Sequence, residues 1–354
     1  MSPDLDLAPI ADLEAAAAEA MGPDAWGYFV TGARDERTLH ENEAAWDAWW
    51  LRPRRLTGSW DASIATSFLG REVAHPIIVG PSAVQRLAHP DGELGIARAV
   101  AALGGTMVLS TSSMTPVEEL AAVPGIDLWF QLYPFEDAGF TGALVARAVA
   151  AGVRAIVLTI DVTSDADASA RPVGGFTSER IVFAHHSGHE PVLRHLDWAW
   201  AERLAATCGV PVVLKGVLHP ADAAEAASRG FGGIVVSNHG GRTLEGSMPS
   251  AMALPDCVAA VDGRSEVYVD GGIRRGGHAL IALGLGARGV MIARPTQWGL
   301  ALGGSDGARR VLARLVRELA EDAAMADIAD IRDIPRDIVV PATWLPRAAS
   351  RSDW

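Results

Sequence analysis

The hexapeptide Ser237-Asn238-His239-Gly240-Gly241-Arg242 closes the apolar run GGIVVS (232–237) and sets an imidazole three residues before a guanidinium. Imidazole takes a proton near neutral pH. A guanidinium grips a carboxylate through two parallel hydrogen bonds. Gly240 and Gly241 between them let the backbone pass close to a bound molecule. Asp161, at the end of AIVLTID (155–161), can pair with His239 and stabilise an imidazolium formed during reaction. A lone loop histidine is more often a structural, hydrogen-bonded residue, and the flanking glycines weigh against that reading without excluding it.

Something must carry these side chains to one place. From about residue 75 onward, short β-branched runs recur: 76–80, 106–110, 128–133, 155–161, 211–216, 233–238, 266–272 and 289–295. Alanine-rich helical segments separate them, at 92–104, 143–152, 199–209, 220–230 and 278–287. Continuous apolar strands imply a parallel sheet covered by helices on both faces. Eight such units over about 250 residues suit an α/β protein of the closed (β/α)8 TIM-barrel type, with its site at the carboxyl ends of the strands. Those ends supply Ser82, Ser110, Gln131, Tyr133, Thr159, Asp161, Lys215, Ser237, His239, Asp270 and Arg294, a reactive set rather than a set of turn formers. A doubly wound open sheet is the competitor, but the Gly-rich turn it needs after an early strand is missing.

Residues 1–70 lie outside this rhythm and read as an N-terminal helical extension (ADLEAAAAEA, then the Trp-rich ENEAAWDAWW) capping a barrel at 71–354. The longest interval between strands, Asp161 to Pro211, reads as an active-site loop or lid. A formal net charge of -13 argues against a nucleic-acid partner. No run approaches the roughly 18 apolar residues of a membrane span, and the acidic N-terminus lacks signal-peptide features. Cys208 and Cys257 lack metal-ligand spacing, so neither a metal site nor a disulfide is expected, and a reducing cytoplasm fits best.

Two further features point to an anionic ligand. DGGIRRGG (270–277) opens a helix and IARP (292–295) ends the eighth strand before a candidate turn, where barrels of this kind bind phosphate through backbone N–H groups and an arginine. A Gly-Gly pair alone reads as a tight turn; its register with two strand ends favours phosphate. Lys215 follows PVVL, so its ammonium needs an anion inside the barrel mouth, and a reduced flavin is one. A lysine that snorkels outward is the alternative.

At these residues the chain resembles the FMN-dependent 2-hydroxy-acid oxidase and dehydrogenase family, which includes glycolate oxidase, lactate oxidase, mandelate dehydrogenase and hydroxymandelate oxidase. The resemblance runs from about Tyr28 to Gly304, through VVSNHGGRTLEG, DGGIRRGG, ARPTQWGLA, YFVTGARDERTLHEN, QRLAHPDGE, LSTSSMTPVEELA, WFQLY, LTID and VLKG. It implies FMN as cofactor and His239 as catalytic base with Asp161 as its partner. It implies that Arg242, Tyr28 and Tyr133 hold substrate and that Lys215 faces the flavin N1–O2 edge. Pro81, Ser82, Ser110, Gln131, Thr159 and Ser237 are the implied flavin contacts, and Asp270, Gly272, Arg274 and Arg294 the implied phosphate contacts. The reaction implied converts a 2-hydroxy acid to the 2-oxo acid, by hydride or carbanion transfer. A tetramer or dimer is also implied.

The chain departs from the family pattern in several places. Ala168 stands where a second carboxylate-binding arginine is usual, and Arg171 stands where aspartate is usual. Either Arg171 replaces the lost charge or Arg242 holds the carboxylate mainly alone. One charge-assisted contact is worth roughly 1.5–3 kcal/mol. The loop after strand 4 is shortened, Ser112 replaces a bulky tryptophan found in some small-acid oxidases, and Ala293 replaces glycine before Arg294. These differences favour a bulkier, aryl- or amino-acid-derived acid over glycolate. The missing haem domain favours molecular oxygen as electron acceptor. An FMN barrel of another class, an isomerase or nucleotide dehydrogenase, leaves the His239–Arg242 spacing unexplained. A non-catalytic flavin binder leaves His239, Arg242, Tyr28, Tyr133 and Asp161 without a task.

Overall fold

The computed structural model describes residues 3–56, 61–162, 181–186 and 195–342. The chain opens with α1 (Ile10–Val30), kinked at Gly22, and α2 (Arg37–Ala44), followed by β1 (Trp49–Leu51) and the hairpin β2 (Thr66–Phe68)–β3 (Arg71–Val73). The expected helix over ENEAAWDAWW stops short: Ala45–Ala48 is a single 3-10 turn and the last tryptophans enter β1. The reason is tertiary. Trp46 is fully buried and its indole N–H donates to the Gly271 carbonyl at 2.9 Å, while β1 pairs antiparallel with a C-terminal strand at Val339–Pro341.

Eight strands follow: β4 (Ile77–Val79), β5 (Thr106–Ser110), β6 (Asp127–Leu132), β7 (Ile156–Thr159), β8 (Val212–Val217), β9 (Gly233–Val236), β10 (Glu266–Val269) and β11 (Gly289–Ile292). Each pairs in parallel with its sequence neighbour, and β11 returns to β4, closing the barrel. Helices α3 (Gly92–Ala102), α4 (Val117–Ala121), α5 (Ala138–Ala150), α6 (Trp198–Thr207), α7 (Pro220–Ser228), α8 (Ser250–Val261) and α9 (Gly276–Gly284) fill the crossovers. IARP does not lead into a turn; Arg294 is the first residue of α10 (Arg294–Met325), which bends at Gly303 and Gly304. The strand β12 (Val339–Pro341) ends the described chain. The fold is therefore a (β/α)8 barrel. The shortened loop expected after the fourth barrel strand falls largely outside the described residues.

Period-two alternation decides which residues reach the mouth. Val108, Trp129, Val157, Val213, Val235 and Tyr268 form one buried cluster inside the barrel. Two residues further along, the same inward side carries Ser110, Gln131, Thr159, Lys215, Ser237 and Asp270.

The β2–β3 hairpin spans residue 70, where the extension was expected to end, and plugs the amino-terminal end of the barrel. Phe68 is fully buried edge-on to Trp129 and Tyr268, with ring centroids 6.1 and 5.5 Å away. Gly289 leaves it room, since a Cβ there would meet the Phe68 ring at 2.7 Å. Outside the barrel, Cys208 and Cys257 are buried free thiols, and burial pushes the Cys257 thiol up to about 12.

Truncation of the plug should cost stability without touching the mouth. Phe68→Ala is expected to lose about 3–5 kcal/mol in chemical denaturation while leaving ligand affinity at the opposite end unchanged.

Candidate active site

A cavity of about 520 Å³ opens at the carboxyl ends of the strands. Its lining brings together Tyr28, Pro81, Ser82, Ser110, Gln131, Tyr133, Thr159, Lys215, His239, Arg242, Asp270, Gly272, Arg274, Ala293 and Arg294, all expected from sequence. Asp161 and Ser237 stand directly behind this wall, bonded to His239 and Lys215 respectively. Arg171 and Ala168 lie outside the described residues.

His239 adopts φ +59°, and Gly240 and Gly241 follow at +64° and +75°. A non-glycine residue held left-handed is strained, and such strain concentrates where a side chain must be aimed. The turn is needed for space as well: a Cβ on Gly241 would meet the Leu39 backbone nitrogen at 2.6 Å. The turn aims His239 so that Nδ1 lies 2.9 Å from Asp161 Oδ1 and Nε2 lies 3.3 Å from the Tyr133 hydroxyl. A carboxylate at Nδ1 holds the proton there, leaving Nε2 with its lone pair toward the cavity. Burial works against ionisation of Asp161, but the charge and hydrogen bond of His239 and the nearby Lys215 outweigh it and keep its carboxyl below the usual range.

Lys215 is 3% exposed and donates to Ser237 Oγ at 2.9 Å, with Asp270 Oδ2 at 3.0 Å. Burial opposes its charge; the Asp270 and Asp161 carboxylates more than compensate and raise its pKa. The backbone leaves room for this arrangement because Gly216, at φ +112°, lies where a Cβ would meet Asp161 Cβ at 2.6 Å. Asp270 is thus the counter-ion of a lysine, and a carboxylate so engaged is a poor neighbour for a phosphate dianion. The polar floor is a relay: Ser110 Oγ donates to Gln131 Oε1 at 3.2 Å, and Gln131 Nε2 donates to Thr159 Oγ1 at 3.1 Å.

The other end of the cavity is cationic. Arg242 donates to the Thr31 carbonyl at 2.6 Å and lies over the Tyr28 ring, 5.5 Å from its centroid. Arg294 donates to the carbonyls of Phe29 (3.0 Å), Gly240 (3.3 Å) and Thr31 (3.4 Å). The carbonyl end of α1, with no basic residue in its own last turn, anchors both arginines. Arg274 pairs with Glu43 and stacks over Trp298. Burial, then repulsion from Arg242 and Arg274, lowers Arg294 to about 9, the mark of a cation cluster short of negative charge.

These groups fit a phosphate-bearing, hydroxyl-rich ligand. Gly271 and Gly272 (φ +93° and +76°) expose backbone at the cationic end, and α10 begins at Arg294 with its N-terminus there. Among the described residues Asp270 Oδ1, Arg274 Nε and both amide atoms of Gln297 are buried without a partner in the protein, as polar atoms that meet a ligand would be. Gln297 was missed from sequence; its signal is its place three residues after Arg294, in the first turn of α10.

The remaining wall is apolar: Val84, Val162, Ile181 and Phe183 line it with Ser112. His185 fastens the 181–186 segment, with Nδ1 3.1 Å from the Thr111 carbonyl and Nε2 accepting from the Val117 N–H at 3.0 Å. Ser112 Oγ lies 3.3 Å from His186 Nε2.

A histidine backed by a carboxylate, an arginine braced on the carbonyl end of α1 and a cationic, glycine-lined end share one barrel mouth, an arrangement that suits a flavin-dependent oxidoreductase. The chain belongs to the FMN-dependent dehydrogenase family, whose model matches residues 17–341, and FMN is its cofactor. It is 41% identical over 335 residues to an L-lactate oxidase of a Nostoc species, covering 88% of this chain and 92% of that protein. It is 39% identical over 335 residues to a 4-hydroxymandelate oxidase of Amycolatopsis orientalis, covering 90% and 94%. A crystal structure of mandelate oxidase with benzoyl-formic acid superposes with a TM-score of 0.85 at 39% identity, covering 92% of this chain and 96% of that one. The protein is therefore an enzyme of the FMN-dependent 2-hydroxy-acid oxidase family, acting on CH–OH donors.

Two outcomes follow from this geometry. FMN at a hundred times its Kd should stabilise the flavin-free protein by about 2.7 kcal/mol, whereas riboflavin, which lacks the phosphate, should give far less in the same thermal titration. In acid, burial holds the imidazoles of His185 and His75 down at about 4, so the unfolded chain takes up protons that the native one refuses. Stability is therefore full above the ordinary histidine range and falls as pH drops from about 6.5 toward about 4. His185→Gln should flatten part of that slope in pH-dependent melting.

Proposed function

We propose that the protein oxidises a 2-hydroxy acid with a bulky, apolar side chain, aryl or amino-acid-derived, to the corresponding 2-oxo acid, and that molecular oxygen takes up the electrons. The observation that carries this reading is the Tyr133–His239–Asp161 chain of contacts, at 3.3 and 2.9 Å, beside the Arg242 guanidinium. Bound FMN supplies the two-electron acceptor. Arg242, braced by Thr31 and Tyr28, receives the substrate carboxylate. Tyr133 hydrogen-bonds the substrate oxygens, and His239 Nε2 takes the proton. Asp161 stays ionised and stabilises the imidazolium that results. Lys215, held by Asp270 and Ser237, offers positive charge to the flavin N1–O2 edge. Ser110, Gln131 and Thr159, with the backbone at Pro81 and Ser82, contact the ring system. Arg274, Arg294 and the Gly272 backbone hold the phosphate beside Ala293, and the free Asp270 Oδ1 suits a hydroxyl of the sugar chain better than the phosphate.

The apolar wall of Val84, Val162, Ile181 and Phe183, with the small Ser112, supports a bulky side chain over glycolate. Arg171 is proposed as a second carboxylate contact that compensates for Ala168. The reading includes a cytoplasmic homo-oligomer, tetramer or dimer, which light scattering checks. No helix among the described residues is long and apolar enough to cross a membrane.

Anaerobic mixing of the FMN-loaded enzyme with (S)-mandelate, L-lactate and glycolate is expected to bleach the flavin fastest with mandelate. A clear preference for glycolate or lactate overturns the bulky-acid assignment; no bleaching by any 2-hydroxy acid overturns the oxidation. His239→Gln should slow the bleaching by about a hundred- to ten-thousandfold. Air should restore the yellow colour with one peroxide formed per flavin, and failure to reoxidise overturns oxygen as acceptor.

A further inference from the structure

Asn42, on α2 outside the barrel, is 1% exposed, and Asn238, next to His239, is 2% exposed. Their amides bond reciprocally: Asn42 Nδ2 donates to Asn238 Oδ1 and Asn238 Nδ2 donates to Asn42 Oδ1, each at 2.8 Å. The same Asn238 Oδ1 accepts from the Gly241 N–H at 3.1 Å, and Asn238 Nδ2 also donates to the Met248 carbonyl at 3.1 Å. Asn238 therefore closes the turn His239–Gly240–Gly241, whose three residues are all left-handed, through its side chain as well as through its backbone carbonyl, which accepts from the same Gly241 N–H at 3.1 Å. Holding a histidine there costs free energy that the surroundings must offset. Asn42 is itself fixed by close packing, because its carbonyl oxygen lies where a Cβ on Gly272 would come within 1.9 Å. The α2 helix thus wedges between the phosphate turn and the proton-accepting loop.

We infer that Asn42 is a positioning residue for His239: acting through Asn238, it fixes the left-handed turn that aims Nε2 at the substrate. It touches neither substrate nor reacting atoms. The inference rests on the role of His239 proposed above. Arg242 is braced separately by Thr31 and Tyr28, so loss of Asn42 should disturb proton removal more than carboxylate binding.

The test uses the FMN-loaded enzyme with (S)-mandelate, rates being normalised to bound flavin. Asn42→Ala is expected to lower kcat about ten- to a hundredfold, with KM changed by less than about threefold. Asn42→Asp is also slow near neutral pH, because a carboxylate cannot donate to Asn238 Oδ1. Its rate relative to wild type should rise as pH falls toward about 5, where the introduced carboxyl gains a proton and donates again. The relative rate of Asn42→Ala should stay flat with pH. Should Asn42→Ala fail to fold, Asn238→Asp, which keeps the acceptor for Gly241, carries the same rate loss and acid recovery. Hydrogen exchange of residues 237–242 reads the displacement without turnover and is expected to quicken in each variant. Full kcat per flavin, parallel pH profiles of the two Asn42 variants, or unchanged exchange overturns the inference. If wild-type flavin is not reduced by any acid, the proposed reaction fails, and exchange alone still decides whether Asn42 fixes the turn.

Discussion

A lysine ammonium buried inside a barrel is the constraint around which the site is arranged. Lys215 can stay charged there only if opposite charge is supplied within the same low-dielectric space. Asp270 supplies it at 3.0 Å and Asp161 from further off. Asp161 in turn keeps its charge, against the effect of burial, because His239 and Lys215 flank it. Partners run from Asp270 to Lys215 to Asp161 to His239, at the ends of β10, β8, β7 and β9, four strands that stand in the sheet in the order β7–β8–β9–β10. Removing one member strands its partners, so these four strand ends depend on one another electrostatically.

The barrel was legible because its strands are short, continuous apolar runs buried on both faces, and each fell within the run read from the sequence or, at β6 and β8, extended one residue beyond it. The site was legible for the related reason that inward-facing residues two positions beyond a barrel core residue have only the mouth to enter. What stayed hidden depends on contacts between residues far apart in the chain. Nothing near ENEAAWDAWW says that its last tryptophans will pair with Val339–Pro341. Nothing near DGGIRRGG says that Asp270 will pair with Lys215 on another strand. The glycines at 271 and 272 look like turn residues; their closeness to Asn42 appears only once α2 is docked. Gln297 reads as one polar residue in an amphipathic helix until both its amide atoms prove buried and unpaired within the protein.

The segments before the barrel contribute to both ends of it. The hairpin seals the amino-terminal end with Phe68, while the carbonyl end of α1 orients Arg242 and Arg294 at the mouth. Those two arginines share the Thr31 carbonyl. A shift of α1 therefore moves both guanidinium groups together, through backbone rather than through side-chain contact.

The two free cysteines acquire a meaning once oxygen is the proposed electron acceptor, since two electrons and two protons added to oxygen make hydrogen peroxide in the active site itself. Thiolate, not thiol, is the form that peroxide attacks. Both sulfurs are buried outside the barrel, and burial pushes the Cys257 thiol up to about 12, so this thiol would resist the oxidant that such a reaction releases. The exposed sulfurs among the described residues are thioethers, Met248, Met252 and Met325, whose oxidation reductases can reverse.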